Sequence, residues 1–106
     1  MNAIKRLIWW LFAGTAGGMK RALIIKLLTE QPYNANQISE KIDLDYKTTR
    51  HHLEMLEKHY MVVAIGDKYG KMYSISPFLE DNFAVFEEIW LRIRQNDIRT
   101  SQDTGK

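Results

Sequence analysis

A mainly α-helical domain carrying one β-hairpin is the fold class that this sequence predicts, and three observations predict it. Asn34 and Asp45 each open a stretch of helical apolar spacing, with a turn between them. Directly after these, an apolar run, a turn-rich tip and an alternating run fill residues 61–75. Outside this unit, apolar residues recur at helical spacing near both ends of the chain.

The central unit is the most specific part. The side-chain oxygen of Asn34 can accept from free N–H groups of a first helical turn, and Gln37 stands where it completes a capping box. Ile38 and Ile42 then share one apolar face. Asp43, a poor helix former, marks the break, and Asp45 supplies the next cap. A second helix is expected over about 46–60. At 100° per residue, Thr49, Leu53 and Leu56 fall together on a narrow inward side. Lys47, Thr48, His51, Glu54, Met55 and Lys58 fall opposite, with Tyr46 and Arg50 at the border.

Met61 to Ile65 reads as a strand, Gly66 to Gly70 as a turn, and Lys71 to Ile75 as a half-buried strand. Helix, turn, helix and charged hairpin in this order make a winged helix-turn-helix, in which the second helix enters a DNA major groove. Helix-turn-helix over 34–60 and wing over 61–75 are therefore expected. The hydrogen-bonding groups at 45–51 stand where base-reading side chains sit in such motifs. Asp45 and Tyr46 would lie at the helix start, and Lys47, Thr48, Arg50 and His51 would meet bases or nearby phosphates. Lys68 and Lys71 would meet the backbone from the wing.

The run LDYKTTRHHLEMLEKHYMVV resembles the arsenic-repressor-like (ArsR-type) winged-helix regulators, especially their archaeal branch. The elements carrying the resemblance are Thr48-Thr49-Arg50, His52-Leu53, Leu56 and the exit Met61-Val62-Val63. Residues 17–28, with Arg21 ahead of an isoleucine-rich face, are similar to that family's opening helix. The resemblance covers roughly residues 17–76 and implies a transcriptional regulator. Metal-sensing members use cysteine-rich sites, and this chain has no cysteine, so that role is not carried over.

Composition sets further bounds. A chain of 106 residues with 45% hydrophobic and 26% charged residues is one globular domain, of a size that dimerisation commonly supplements. The absence of cysteine excludes disulfides and thiolate chemistry and fits a reducing cytoplasm. The formal charge of +2 is unevenly spread. Residues 1–75 hold eleven Lys and Arg against seven Asp and Glu, whereas 76–106 hold four against six. The basic excess thus accompanies the helix-turn-helix half.

Both ends read as dimerisation helices within a single domain over 1–98. In residues 1–13, Ile4, Leu7, Ile8 and Leu11 repeat at helical spacing, and Trp9, Trp10 and Phe12 widen the apolar surface. The alternatives, a signal peptide or peripheral attachment through the tryptophans, fit less well. A spanning helix is excluded because Lys20, Arg21 and Lys26 follow too soon. Ser76-Pro77 starts a helix expected over 77–98, where Leu79, Phe83, Phe86, Trp90 and Ile93 recur at seam spacing. Residues 99–106 are expected to form a frayed polar tail.

No catalytic constellation is present, so the chain is not expected to be an enzyme, and no cofactor or metal is implied. His51 and His52 are adjacent and point about 100° apart on a helix, which prevents joint chelation. The expectation is a homodimeric, sequence-specific binder of double-stranded DNA. The other class weighed is a winged helix that docks a protein partner through its helices, suggested by Glu54, Glu57 and the aromatic C-terminal stripe.

Overall fold

The computed structural model describes the backbone of residues 2–68 and 70–104 and the side chains of residues 2–68 and 70–96. Helices α1 (Ala3–Phe12), α2 (Gly18–Leu28), α3 (Ala35–Lys41) and α4 (Tyr46–Lys58) come first, with strand β1 (Tyr33–Asn34) leading into α3. Strands β2 (Val62–Ile65) and β3 (Met72–Ile75) follow, then α5 (Pro77–Asp81) and α6 (Phe83–Thr104). This is a winged helix-turn-helix with added terminal helices.

The capping chemistry places the helix starts as expected. Asn34 Oδ1 accepts from Gln37 N at 2.8 Å, and Asn34 N donates to Gln37 Oε1 at 2.9 Å, closing the capping box of α3. Asp45 Oδ2 accepts from Thr48 N at 2.9 Å and starts α4.

Helix ends follow one pattern twice. After α3, Leu44 N reaches Ser39 O and Asp43 N reaches Glu40 O, with Asp43 in the left-handed region at φ 55°. After α4, Met61 N reaches Leu56 O and Tyr60 N reaches Glu57 O, with Tyr60 at φ 65°. Each is a Schellman motif that satisfies the last carbonyls, and each places a non-glycine residue where glycine is usual. That explains how the helix-turn-helix turn manages without glycine. It also ends α4 at Lys58 rather than at residue 60.

The sheet has the order β1-β3-β2, antiparallel throughout. β1 was not expected from the sequence. Two residues carry no periodicity, and pairing of Tyr33 with Tyr73 is what makes them a strand. Ser76 fixes the hairpin to the helices: its Oγ donates to Tyr60 O at 2.6 Å and accepts from Leu79 N at 3.0 Å.

The core draws on every helix. Ile8 and Leu11 of α1, Ile24 and Ile25 of α2, Ile38 of α3 and Leu53 and Leu56 of α4 are fully buried. Leu79 of α5 and Phe86 of α6 complete it, and Phe12 meets Phe86 edge to face at 5.0 Å. Each such side chain stabilises by about 1.5–3 kcal/mol relative to exposure, so the terminal helices are part of the foundation.

Three expectations for the ends are corrected by this packing. Ile8, Leu11, Leu79 and Phe86 do not face a second copy, because the core of the single chain buries them completely. The C-terminal segment is two helices, broken at Asn82, whose Nδ2 donates to Phe78 O at 2.9 Å. The backbone is helical through Thr104, beyond the expected helix end at residue 98. Gly105 and Lys106 of the expected tail, and Tyr69 of the expected hairpin tip, lie outside the described residues.

Tyr60 generates a prediction. A left-handed residue with a side chain costs roughly 1–2 kcal/mol, and Tyr60 is 72% exposed, so its ring contributes little in return. Tyr60→Gly is expected to raise stability by about 1 kcal/mol, less the entropy glycine loses on folding. The melting temperature should rise by roughly 4 °C. An unchanged or lower midpoint in a thermal scan would refute this account of the helix end.

Candidate nucleic-acid interface

The outward side of α4 is formed as its residue types dictate. Lys47 and His51 are exposed, Thr48 is half-buried, and Tyr46 is 50% exposed. Asp45 is spent on its cap, and the Thr48 N–H holds its carboxyl below the usual range. A carboxyl lowered in the folded state favours folding above its ordinary value and loses that contribution as acid protonates it. The helix start is therefore fully capped at neutral pH. The exposed carboxylate also discourages a phosphate from approaching this turn end-on.

Arg50 stands apart from its neighbours. It leans over the border of the helix, half-buried, 3.7 Å from Glu54. A hydrogen bond with Tyr46 raises its pKa above the ordinary arginine value, and its Nε is buried with no hydrogen-bond partner. Beside it opens a polar cleft of about 150 Å³ lined by Asn34, Asn36, Tyr46, Arg50, Lys68, Lys71 and Tyr73. The first turn of the helix-turn-helix, the recognition helix and the wing thus contribute to one basic hollow. Lys68, Lys71 and Arg50 are brought together here, whereas Lys47, Thr48 and His51 lie along the free side of α4.

The wing tip is tight. Gly66 has φ 111°, and a Cβ there would come within 2.6 Å of Gly70 O. Asp67 turns the chain by accepting from Gly70 N at 3.0 Å. These contacts hold Lys68 and Lys71 on the cleft side.

Behind α4 lies a buried polar group whose partners the sequence does not reveal. Arg21 of α2 is 2% exposed and makes no ion pair among the described residues. Its Nε donates to Leu11 O at 2.9 Å, capping the C-terminal end of α1, and it also donates to Thr15 Oγ1. Its Nη1 stands 3.4 Å from Nδ1 of His52, on the inner side of α4. Burial lowers the Arg21 pKa, yet a guanidinium remains charged. His52 is pulled below its ordinary value first by burial, then by the charges of Arg21 and His51. An arginine inside an otherwise apolar helix face was the available signal.

Gly17 makes this approach possible. It caps α2 at φ 84°, and a Cβ there would lie 2.7 Å from His52 Cε1 and 3.1 Å from Arg21 Nη1. At the far end of α4, Trp10 of α1 packs edge to face on His59 at 5.3 Å. The recognition helix is therefore met by Arg21 on its inner side and by Trp10 at its C-terminal end.

Of the residues expected at a dimer interface, Ile4 is 38% exposed, and Leu7, Phe83, Trp90 and Ile93 are partly buried against their own chain. Lys26 lies over the Trp90 ring at 5.8 Å. Leu91, absent from that expectation, is 56% exposed on α6.

Residues 19–62 match the family described as bacterial regulatory protein, arsR family. That stretch is under half of the chain and spans its helix-turn-helix, which is thus similar to the helix-turn-helix of that family. The fold of the chain is shared with the homodimeric winged helix-turn-helix DNA-binding domain of Mb0332 from Mycobacterium bovis, a possible ArsR-family regulator. That match has a TM-score of 0.65 and 16% identity, over 87% of this chain and 81% of that one. Reduced HlyU from Vibrio cholerae is similar at 0.60 and 19%, covering 89% and 90%. Lactococcus lactis ZitR matches at 0.57 and 19% over 80% of this chain, which spans only 56% of the ZitR chain. No curated protein matches the sequence. The ArsR-type match begins at Met19, so α1 and α6, which supply Leu11 and Phe86 to the core, lie outside it.

The close fit at Gly17 yields a prediction. Gly17→Ala must relieve both the left-handed backbone and the overlap with His52, and should cost about 1–3 kcal/mol. Urea denaturation measures it, and a variant as stable as the parent would contradict the packing described.

Proposed function

We propose that the protein is a homodimeric, sequence-specific DNA-binding regulator of transcription acting in the cytoplasm. In this reading α4 enters the major groove and the β2–β3 wing lies on the sugar–phosphate backbone. The convergence of Arg50, Lys68 and Lys71 on one cleft, beside the exposed Lys47 and His51 and the half-buried Thr48, carries the proposal. Cations at a cleft edge neutralise phosphates and fix register, and the hydrogen-bonding groups of the first two turns read base edges. Tyr46 adds a half-exposed ring at the groove entrance, and Asp45 serves as the cap of the reading helix.

The arrangement divides the labour among the expected residues. Lys47, Thr48 and His51 stand free to reach bases. Arg50, engaged by Tyr46 and Glu54 of its own helix, shares the cleft with Lys68 and Lys71 and is better placed for backbone than for a base. No catalytic step is ascribed to the protein. Among the described residues, no helix is long and apolar enough to cross a membrane.

Pairing of two copies is supported by the relative described as homodimeric. The surface proposed for it is the outer side of α1 and α6, with Ile4, Leu7, Phe83, Trp90, Ile93 and Leu91. A twofold pair would present two recognition helices to successive major grooves, about 34 Å apart.

Selection of bound sequences from a random pool, followed by titration at several salt concentrations, tests the reading. One enriched motif with two related halves is expected, with affinity falling steeply as salt rises. Lys47→Ala should weaken binding by about 1–3 kcal/mol and relax the selected motif. Lys71→Ala should weaken all sequences alike and reduce the salt slope by about 1. No enriched sequence, or affinity indifferent to salt, would sink the proposal. For the pairing, Leu91→Lys should shift sedimentation toward the monomer without lowering helix content.

A further inference from the structure

We infer that Arg21 and His52 form a proton-sensitive joint that fixes the recognition helix to the N-terminal segment, so that acid releases α4 and weakens its grip on DNA. The DNA part rests on the proposed function. The joint itself rests on the packing alone.

The geometry sets the protonation state. A guanidinium has donors only, so His52 Nδ1, 3.4 Å from Arg21 Nη1, must accept. The neutral ring then carries its proton on Nε2. A second proton would place N–H against N–H and cation beside cation, with both residues more than nine-tenths buried. The surroundings offer no relief. Gly17 faces the ring from the α1–α2 connection and has no side chain, with its would-be Cβ position 2.7 Å from Cε1. Arg21 faces it from α2. His51, whose ring centroid is 6.2 Å away, is the charged or titratable neighbour on α4 itself. Among the described residues, the charged groups acting on His52 are Arg21 and His51.

Arg21 cannot yield. Its other donors hold Leu11 O and Thr15 Oγ1, so moving the guanidinium uncaps α1 and frees the connection to α2. The group able to move is the imidazole, and it moves with the inner side of α4. Arg21 is thus a positioning residue: it acts on DNA only through His52 and the helix that carries it.

The direction with pH follows. The folded protein holds His52 below its ordinary value of 6.5, so the unfolded chain binds the proton more readily. Stability contributed by neutral His52 is complete above that value and is lost as pH falls beneath it, until the folded ring itself titrates. One linked proton changes the unfolding constant by at most about tenfold per pH unit.

The experiment compares the wild-type chain with His52→Gln and His51→Gln between about pH 5 and 8. Urea unfolding and binding of a labelled mixed-sequence duplex are read at each pH. Glutamine can accept from Arg21 without titrating. The expected result is an acid loss of stability and affinity in the wild type, kept in His51→Gln and removed in His52→Gln. Equal pH slopes in wild type and His52→Gln would overturn the inference. If His52→Gln does not fold, nuclear magnetic resonance of the wild type decides. The His52 ring must titrate below its ordinary value of 6.5, and its protonation must shift the Arg21 Nε–H resonance and speed amide exchange in α4. Titration without those changes also overturns it. If the duplex is not bound at neutral pH, the proposed function fails separately, and the stability and resonance arms still judge the joint.

Discussion

The buried guanidinium of Arg21 is the constraint on which the arrangement depends. It closes the open carbonyl end of α1, gathers Thr15 from the connection, and meets the recognition helix at His52. A charge held with no carboxylate partner is costly unless its donors are satisfied, so three separate pieces of chain must stay in place around it. The close backbone approach at Gly17 is the steric condition for that grouping. α1, α2 and α4 are therefore set relative to one another by hydrogen-bond geometry as well as by apolar burial.

From that anchor the outward face is built by local devices. Capping at Asn34 and Asp45 fixes where α3 and α4 begin, and paired left-handed residues fix where they end. Ser76 then ties the exit of α4 to the start of α5, which sets the wing beside the recognition helix. The basic cleft results from these connections. Its cations come from α4 and from the wing, and only the Ser76 link and the sheet register bring them within one small hollow.

The terminal helices show where sequence reading stopped. Their periodicity was legible, and so was their apolar character. Which apolar face meets its own chain was not, because spacing is identical for a residue buried at home and one buried against a second copy. Ile8 and Leu79 fill the core, whereas Leu91, off the expected stripe, is left exposed. The break at Asn82 was hidden for a similar reason, since apolar residues continue in register across it. Arg21 was legible as the basic residue ahead of an isoleucine-rich face, but its depth and its partners on α1 and α4 depend on distant segments.

By itself the sequence determined the order of helices and hairpin, the capped starts of α3 and α4, and the polar side of the recognition helix. These depend on residues within a few positions of each other, where capping and periodicity act. Only the tertiary structure decided that Arg50 turns toward Lys68 and Lys71, that His52 must stay neutral, and that both ends of the chain join one core. Each of those rests on contacts between distant segments, and a linear pattern carries no record of depth or of partners across space.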